Sequence, residues 1–145
     1  MTVRVGINGF GRMGRLGFRA GWGNDGLAIV RVNEIATDAT GCAHLLKFDS
    51  VHGTWNEDCE AEGEVMIVGG QRIICARNPT IHETDWSDCD IVIEATGKHH
   101  KDPETLQRYF EQGVQKVIVA APTEGALNIV YGINDHLYNP AEHHL

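Results

Sequence analysis

The sequence lacks both a long apolar run and an excess of positive charge. Its 145 residues include 20 acidic and 12 basic side chains, which gives a formal net charge of -8. A protein of this charge repels polyanions, so we expect neither nucleic acid nor an anionic membrane among its partners. No apolar stretch approaches the roughly 20 residues that cross a bilayer, and the chain opens directly on a strand pattern. These absences predict a cytoplasmic protein that binds any phosphate through local backbone geometry.

Cysteine is scarce, and its spacing shows no ligand pattern. No Cys-x-x-Cys pair occurs among the four thiols, which are Cys42, Cys59, Cys75 and Cys89. This spacing favours reduced, partly buried thiols over a disulfide framework or a zinc site. The histidine pairs His99–His100 and His143–His144 make poor chelates, because neighbouring side chains point apart. The sequence therefore predicts no metal site.

Short apolar runs typical of buried parallel strands recur along the chain. They occupy Val3–Ile7, Leu27–Val32, Asp90–Glu94 and Lys116–Ala120, and a further strand is predicted at Asn128–Gly132. Helical patterns lie between them, from Arg12 to about Trp22, from Asp38 to about Leu46 and from Pro103 to about Gly113. Strands that alternate with helices predict an α/β fold with a parallel sheet.

A hairpin pattern interrupts this alternation. Two apolar segments, Val65–Val68 and Arg72–Cys75, flank Gly69–Gly70, and paired glycines supply the positive φ that a tight turn needs. We interpret the hairpin as an insertion that is not part of the alternating strands and helices. The length is that of one domain. Residues 1–145 are therefore predicted to form a Rossmann-type, doubly wound, mostly parallel sheet with helices on both faces and a small hairpin insertion.

The glycines that follow the first strand carry the chemistry. Gly9, Gly11 and Gly14 have G-x-G-x-x-G spacing, which permits a tight turn, approach of the backbone to a pyrophosphate, and close packing of helix on strand. Unpaired amides of the helix that follows would bind the phosphates. Glu34 lies about 20 residues further on, where its carboxylate would accept hydrogen bonds from a ribose and repel the 2′-phosphate of NADP. This context predicts a dinucleotide site that prefers NAD.

The glycine loop in its full context, residues 5–15, closely resembles the opening of the phosphorylating glyceraldehyde-3-phosphate dehydrogenases. Further segments resemble successive signatures of the same family, namely Asn33–Glu34, His44–Gly53, Arg77–Pro79, Glu94–Gly97, Val119–Pro122 and Val130–Asn134. Together they are far more specific than the glycine motif. The resemblance implies a glycolytic, NAD-dependent oxidoreductase that acts on an aldehyde sugar phosphate.

The resemblance also implies which residues hold the cofactor. It places the amides of Arg12 and Met13 at the pyrophosphate, Glu34 at the adenosine ribose and Arg77 beside the adenine. Thr96, Gly97 and Ala120 would line the route to the nicotinamide. The complete set of predicted cofactor-binding residues is Asn8, Gly9, Phe10, Gly11, Arg12, Met13, Gly14, Asn33, Glu34, Arg77, Thr96, Gly97 and Ala120.

The sequence departs from the family pattern at several of these places. Glu34 replaces the more usual aspartate, and Ala95 and Ala120 stand where a hydroxyl residue is common. Lys98–His100 replaces an apolar and aromatic stretch, so that His99 falls where an aromatic ring usually flanks the adenine. The resemblance therefore does not carry an aromatic contact with the adenine over to His99.

The catalytic residues of the family have no counterpart in this sequence. The Ser-Cys-Thr-Thr-Asn motif with the nucleophilic cysteine, the helper histidine and the phosphate-binding residues would all follow Leu145. We therefore predict that the catalytic domain is absent from this chain, that the chain alone is inactive, and that a sugar phosphate binds only in a complete enzyme. The resemblance further implies a homo-oligomer, a tetramer in the full-length family.

Alternative interpretations remain open at this point. Asn33–Ala36 resembles erythrose-4-phosphate dehydrogenases, whereas Asp49–Trp55 and Ala126–Val130 resemble the variant associated with arsenate resistance, which would use arsenate as the acyl acceptor. A stand-alone, non-catalytic nucleotide-binding module is another hypothesis, and an RNA-binding fragment is a third. The acidic net charge counts against the RNA-binding fragment.

Overall fold

The computed structural model describes all 145 residues, which form nine strands and three α-helices. The strands are β1 (Val3–Asn8), β2 (Leu27–Asn33), β3 (Phe48–Asp49), β4 (Gly53–Thr54), β5 (Cys59–Glu62), β6 (Val65–Val68), β7 (Gln71–Ala76), β8 (Ile91–Glu94) and β9 (Lys116–Val119). The helices are α1 (Arg12–Gly21), α2 (Ala39–Lys47) and α3 (Pro103–Glu111), and short 3-10 helices lie at Ile81–Glu83 and Asp135–Leu137. None of the helices is long and apolar enough to cross a membrane.

Seven strands form one sheet in the order β5-β6-β7-β2-β1-β8-β9. The five strands from β7 to β9 in this order run parallel, whereas β5, β6 and β7 pair antiparallel. The chain winds outward from β1 through β2 to β7 and then crosses back to place β8 on the other side of β1. The predicted doubly wound, mostly parallel sheet is confirmed. Because the winding reverses at β1, a crevice is expected at the carboxyl ends of β1 and β8.

Helices cover both faces of this sheet. On one face, Phe18 of α1 and Leu46 of α2 pack with Ile7 in a cluster of 14 buried residues. On the other face, Leu106 of α3 packs with Val92 in a second cluster of 8 buried residues. Burial of both faces explains why the central strands read as almost continuous apolar runs.

The predicted helix starts at Asp38 and Pro103 are confirmed. The Asp38 carboxylate caps α2 by accepting a hydrogen bond from the amide of Gly41 at 2.9 Å. Asp102 caps α3 in the same way through the amide of Thr105 at 3.1 Å, and Pro103 occupies the first turn. Each carboxylate satisfies an amide that the first helical turn leaves unpaired.

The predicted hairpin forms, but the interpretation that it lies outside the winding is wrong. Gly69 and Gly70 turn with φ of 51° and 82°, and β6 pairs with β7 across them. However, β7 also pairs with β2 in the parallel direction, with Arg31 opposite Ile74. Since Ile73 is fully buried, β7 belongs to the sheet that covers the core. β5, which adds an antiparallel edge strand, was not predicted from the sequence.

The predicted strand at Asn128–Gly132 is also wrong. Its backbone groups are taken by side-chain amides: Val130 donates to the Asn134 side chain at 2.6 Å, and the Asn134 amide donates to the Asn128 carbonyl at 3.0 Å. The segment pairs with no strand, and β9 is the last strand on this side of the sheet. Val130 and Tyr131 are consequently exposed rather than packed in a sheet.

Candidate functional site

The three glycines of the loop between β1 and α1 differ in their surroundings. Gly9 has a φ of 90°, and a Cβ there would lie 2.6 Å from the backbone of Ala95, so that both the turn and the close approach require glycine. A Cβ on Gly14 would collide with the carbonyl of Gly9, which keeps α1 tight against β1. Gly11 has no atom of the chain within 4 Å of the Cβ position. Its missing side chain therefore leaves open space for a ligand.

The cap and first turn of α1 contain no neutralising group. Gly11 occupies the N-cap and offers no side-chain cap, and the first turn contains no acidic residue. By contrast, aspartates cap α2 and α3. The first-turn amides of Arg12 and Met13 have no partner within the helix, and the positive end of the helix dipole lies beside them. This end of α1 is suited to an anion.

Two clefts open at the carboxyl ends of the parallel strands. The first cleft, of about 160 Å³, is polar and is lined by Asn8, Gly9, Gly11, Asn33, Glu34, Ile35, Asn78, Pro79, Ala95, Thr96, Lys98 and His99. The second cleft, of about 190 Å³, is lined by Met13, Glu94, Ala95, Thr96, Gly97, His100, Val119, Ala120 and Ala121. Ala95 and Thr96, which directly follow β8, line both. The clefts therefore lie side by side at the point where the winding reverses.

Glu34, at the end of β2, is held by two backbone amides. One carboxylate oxygen accepts from Phe10 at 2.9 Å, and the other accepts from Ala36 at 2.8 Å. Glu34 thus ties the end of β2 to the glycine loop while it lines the first cleft. A carboxylate has about four lone-pair sites, so capacity remains for hydroxyl groups of a ligand.

Asparagine side chains fix the floor of the first cleft. The Asn33 amide donates to the Asn8 side chain at 2.8 Å and to the Asn78 carbonyl at 2.9 Å. The Asn78 amide donates back to the Asn33 side chain at 2.9 Å. These bonds join the ends of β1 and β2 to the segment after β7. Asn8 and Asn33 consequently shape the cleft as well as line it.

Glu94 is a buried carboxyl group that lines the second cleft. It is only 2% exposed, yet it accepts hydrogen bonds from four donors: the Asn8 amide, the Tyr109 hydroxyl, and the backbone amide and hydroxyl of Thr96. Burial, followed by the negative charge of Glu94, raises the pKa of Tyr109 well above its usual range. The network joins β1, β8 and α3, and it fixes the loop that separates the clefts.

Comparison with known proteins decides the family. The model of the family described as "Glyceraldehyde 3-phosphate dehydrogenase, NAD binding domain" matches residues 3–102. The chain belongs to this family. NAD is accordingly the cofactor of this glyceraldehyde-3-phosphate dehydrogenase NAD-binding domain. The predicted family and the predicted cofactor are both confirmed.

Individual relatives match over the whole of the chain. Glyceraldehyde-3-phosphate dehydrogenase 3 of Nostoc sp. is 53% identical over 148 residues, and the glyceraldehyde-3-phosphate dehydrogenase of Geobacillus stearothermophilus is 41% identical over 148 residues. A glycosomal glyceraldehyde-3-phosphate dehydrogenase of Crithidia fasciculata is 37% identical over 161 residues. In each case the chain spans 44% of the length of the relative.

The structure brings most of the predicted cofactor residues together. Five of them line the first cleft, namely Asn8, Gly9, Gly11, Asn33 and Glu34. Met13, Gly97 and Ala120 line the second cleft, and Thr96 lines both. Phe10 is 1% exposed and packs on Phe18 at 5.7 Å, so its ring belongs to the core and only its backbone faces the loop. Gly14 is buried against β1 and touches neither cleft.

The two predicted arginine side chains lie outside both clefts. Arg12 extends to Asp49 at 3.4 Å, and the amides of His52 and Val51 hold the pKa of that carboxyl well below its usual range. Arg77 is exposed and donates to the carbonyl of Ile35 at 3.3 Å. The side chains of Arg12 and Arg77 are therefore engaged by other parts of the chain.

Several residues of the clefts were missed by the sequence reasoning. Glu94 had a visible signal, because it is an acidic residue at the end of an otherwise apolar strand. Asn78 belongs to the family-like segment Arg77–Pro79 and His100 to the departure at Lys98–His100, but their positions in the clefts depend on the pairing of β7 with β2 and on the turn after β8. The fold alone brings these side chains to the clefts.

Proposed function

We propose that this chain is the cofactor-binding part of a phosphorylating, NAD-dependent dehydrogenase that oxidises the aldehyde of a sugar phosphate. The observation that supports this most strongly is the position of the two clefts. They lie on either side of the glycine loop, beside the N-terminus of α1, which carries no neutralising acid. A dinucleotide needs this arrangement, with one pocket for each nucleoside and an anion site between them.

Different residues of the chain would bind different parts of NAD. The amides of Arg12 and Met13 would donate to the pyrophosphate, with the dipole of α1 stabilising its charge. Glu34 would accept from the adenosine ribose in the first cleft, and Arg77 would border the adenine side from outside that cleft. Thr96, Gly97 and Ala120 would border the nicotinamide side in the second cleft. Bound NAD supplies the hydride acceptor, and the chain fixes its position.

The nucleophile of such a reaction is proposed to lie outside residues 1–145. None of the four cysteines lines either cleft, and Cys42, Cys75 and Cys89 are buried. Burial, with a contribution from Asp88, raises the pKa of Cys89 to about 12, whereas a catalytic thiol needs a lowered pKa and a nearby base. Substrate binding, choice of acyl acceptor and homo-oligomer assembly are accordingly proposed for the complete enzyme.

The test combines a binding measurement with an activity measurement. We expect calorimetry to show one NAD site on the purified chain, and we expect no NADH formation with glyceraldehyde 3-phosphate, phosphate and NAD. The absence of NAD binding by a folded chain would refute the proposed cofactor role. Turnover that disappears on substitution of one of the four cysteines would refute the proposed location of the nucleophile.

A further inference from the structure

Two adjacent histidines in the turn after β8 line different clefts. His99 lines the first cleft together with Glu34, whereas His100 lines the second cleft together with Met13 and Ala120. The turn is held by two hydrogen bonds: Lys98 donates to the Thr96 hydroxyl at 3.1 Å, and Asp102 donates to the His99 carbonyl at 3.0 Å. One fixed turn thus presents an imidazole to each side of the site.

The His100 ring has no hydrogen-bond partner in the chain. Its Nδ1 atom is buried without a partner, and Arg15 Nε is the other buried side-chain atom in this condition. A buried nitrogen that loses water and gains no partner is unfavourable, and native structures contain few of them. Because His100 also lines the second cleft, its ring has an unused hydrogen-bonding capacity beside that cleft.

The other side chains that line the second cleft have no free hydrogen-bond donor. The Thr96 hydroxyl donates to Glu94 and accepts from Lys98, and the Glu94 carboxylate already accepts from four donors. The remaining lining residues are glycine or have apolar side chains. His100 is thus the only lining side chain of the second cleft with a hydrogen-bond donor that the chain leaves unused.

We propose that His100 binds the nicotinamide-side half of the dinucleotide, donating a ring N–H to an oxygen of its ribose or of the adjoining phosphate. This rests on the proposed division of NAD between the two clefts. A ribose or phosphate that enters the second cleft loses water and needs a side-chain partner there. His99 has the corresponding position on the adenosine side. His100 would therefore contribute to the binding of ligands that contain the second phosphate and ribose, and not to the binding of ligands that end at the first phosphate.

The test titrates the chain with AMP, ADP-ribose and NAD by calorimetry. AMP contains only the adenosine half, whereas ADP-ribose adds the second phosphate and ribose. We expect His100→Ala to lower the affinity for ADP-ribose and NAD roughly three- to tenfold, the value of one hydrogen bond, and to leave AMP binding within about twofold of the parent. His99→Ala is the matched control and should weaken all three ligands by a similar factor.

The outcomes separate this inference from the proposed function. If the parent binds neither AMP nor NAD, both fail. If the parent binds all three ligands and His100→Ala binds ADP-ribose as tightly, the inference alone fails. Equal losses for AMP and ADP-ribose would also overturn it, because they would show that His100 supports the turn rather than the ligand. His100→Gln, which keeps a donor, should lose less than His100→Ala and provides the comparison if the alanine variant does not fold.

Discussion

Replacement of Glu34 tests the electrostatic basis of cofactor choice. Its carboxylate is fixed beside the glycine loop by the amides of Phe10 at 2.9 Å and Ala36 at 2.8 Å. A 2′-phosphate on the adenosine ribose would lie within a few ångströms of this charge. Two like charges about 4 Å apart repel by about 1 kcal/mol in water and about 4 kcal/mol near a protein surface. The chain should therefore prefer NAD to NADP by at least about fivefold.

Glu34→Gln removes this charge while it keeps the shape of the side chain. The NADP affinity should rise relative to that of NAD, because the repulsion is gone. The NAD affinity itself should fall modestly. The glutamine side chain has only one oxygen, so it can accept from the amide of Phe10 or of Ala36 but not from both. Glu34→Ser removes both anchors, so it should weaken NAD further and also narrow the gap to NADP.

The assay is a pair of calorimetric titrations at one ionic strength, repeated at high salt. Salt screens exposed charges, so the preference for NAD should shrink as ionic strength rises. Equal affinity of the parent chain for NAD and NADP at low salt would refute the reasoning. It would mean that the charge of Glu34 is compensated or does not face the ribose.

Three further substitutions or modifications test the surroundings of the site. Tyr109→Phe leaves Glu94 and Asn8 without a shared hydroxyl and should lower the free energy of urea unfolding by about 1–3 kcal/mol; a loss near zero would contradict the network. Cys89 should resist alkylation at pH 8 in the folded chain, because a pKa of about 12 leaves roughly one thiolate in 10⁴; rapid labelling seen by mass spectrometry would show otherwise. Arg77→Ala should weaken NAD only slightly in a titration, since the side chain lies outside both clefts; a large loss would place it on the cofactor.

Local signals in the sequence were sufficient for the elements that depend on local chemistry. Asp38 and Asp102 cap helices through amides three residues away, and Gly69–Gly70 turn a hairpin through their own positive φ. The glycine motif is likewise contained within one loop. These features are predictable because the interacting atoms are close together in the sequence.

Features that depend on distant partners could not be predicted in this way. The position of β7 depends on its pairing with β2, which no pattern within the hairpin reveals. The apolar segment at Asn128–Gly132 resembles a strand, but the Asn134 side chain bonds the backbone of Asn128 and Val130, and no strand lies beside the segment. Glu34 and Glu94 form hydrogen bonds with residues that are distant in the sequence. The pattern of apolar residues does not show which strands are neighbours, so it could not predict these bonds.

The central claim is that the backbone of Gly11 must meet the pyrophosphate of NAD. Gly11→Val and Gly17→Val form a matched pair, because the Cβ position at each site has no atom of the chain within 4 Å, and only Gly11 lines a cleft. Both variants should fold, as judged by thermal unfolding. In parallel NAD titrations, Gly11→Val should lose measurable binding while Gly17→Val binds like the parent. NAD binding by Gly11→Val at the parent's affinity would contradict the account.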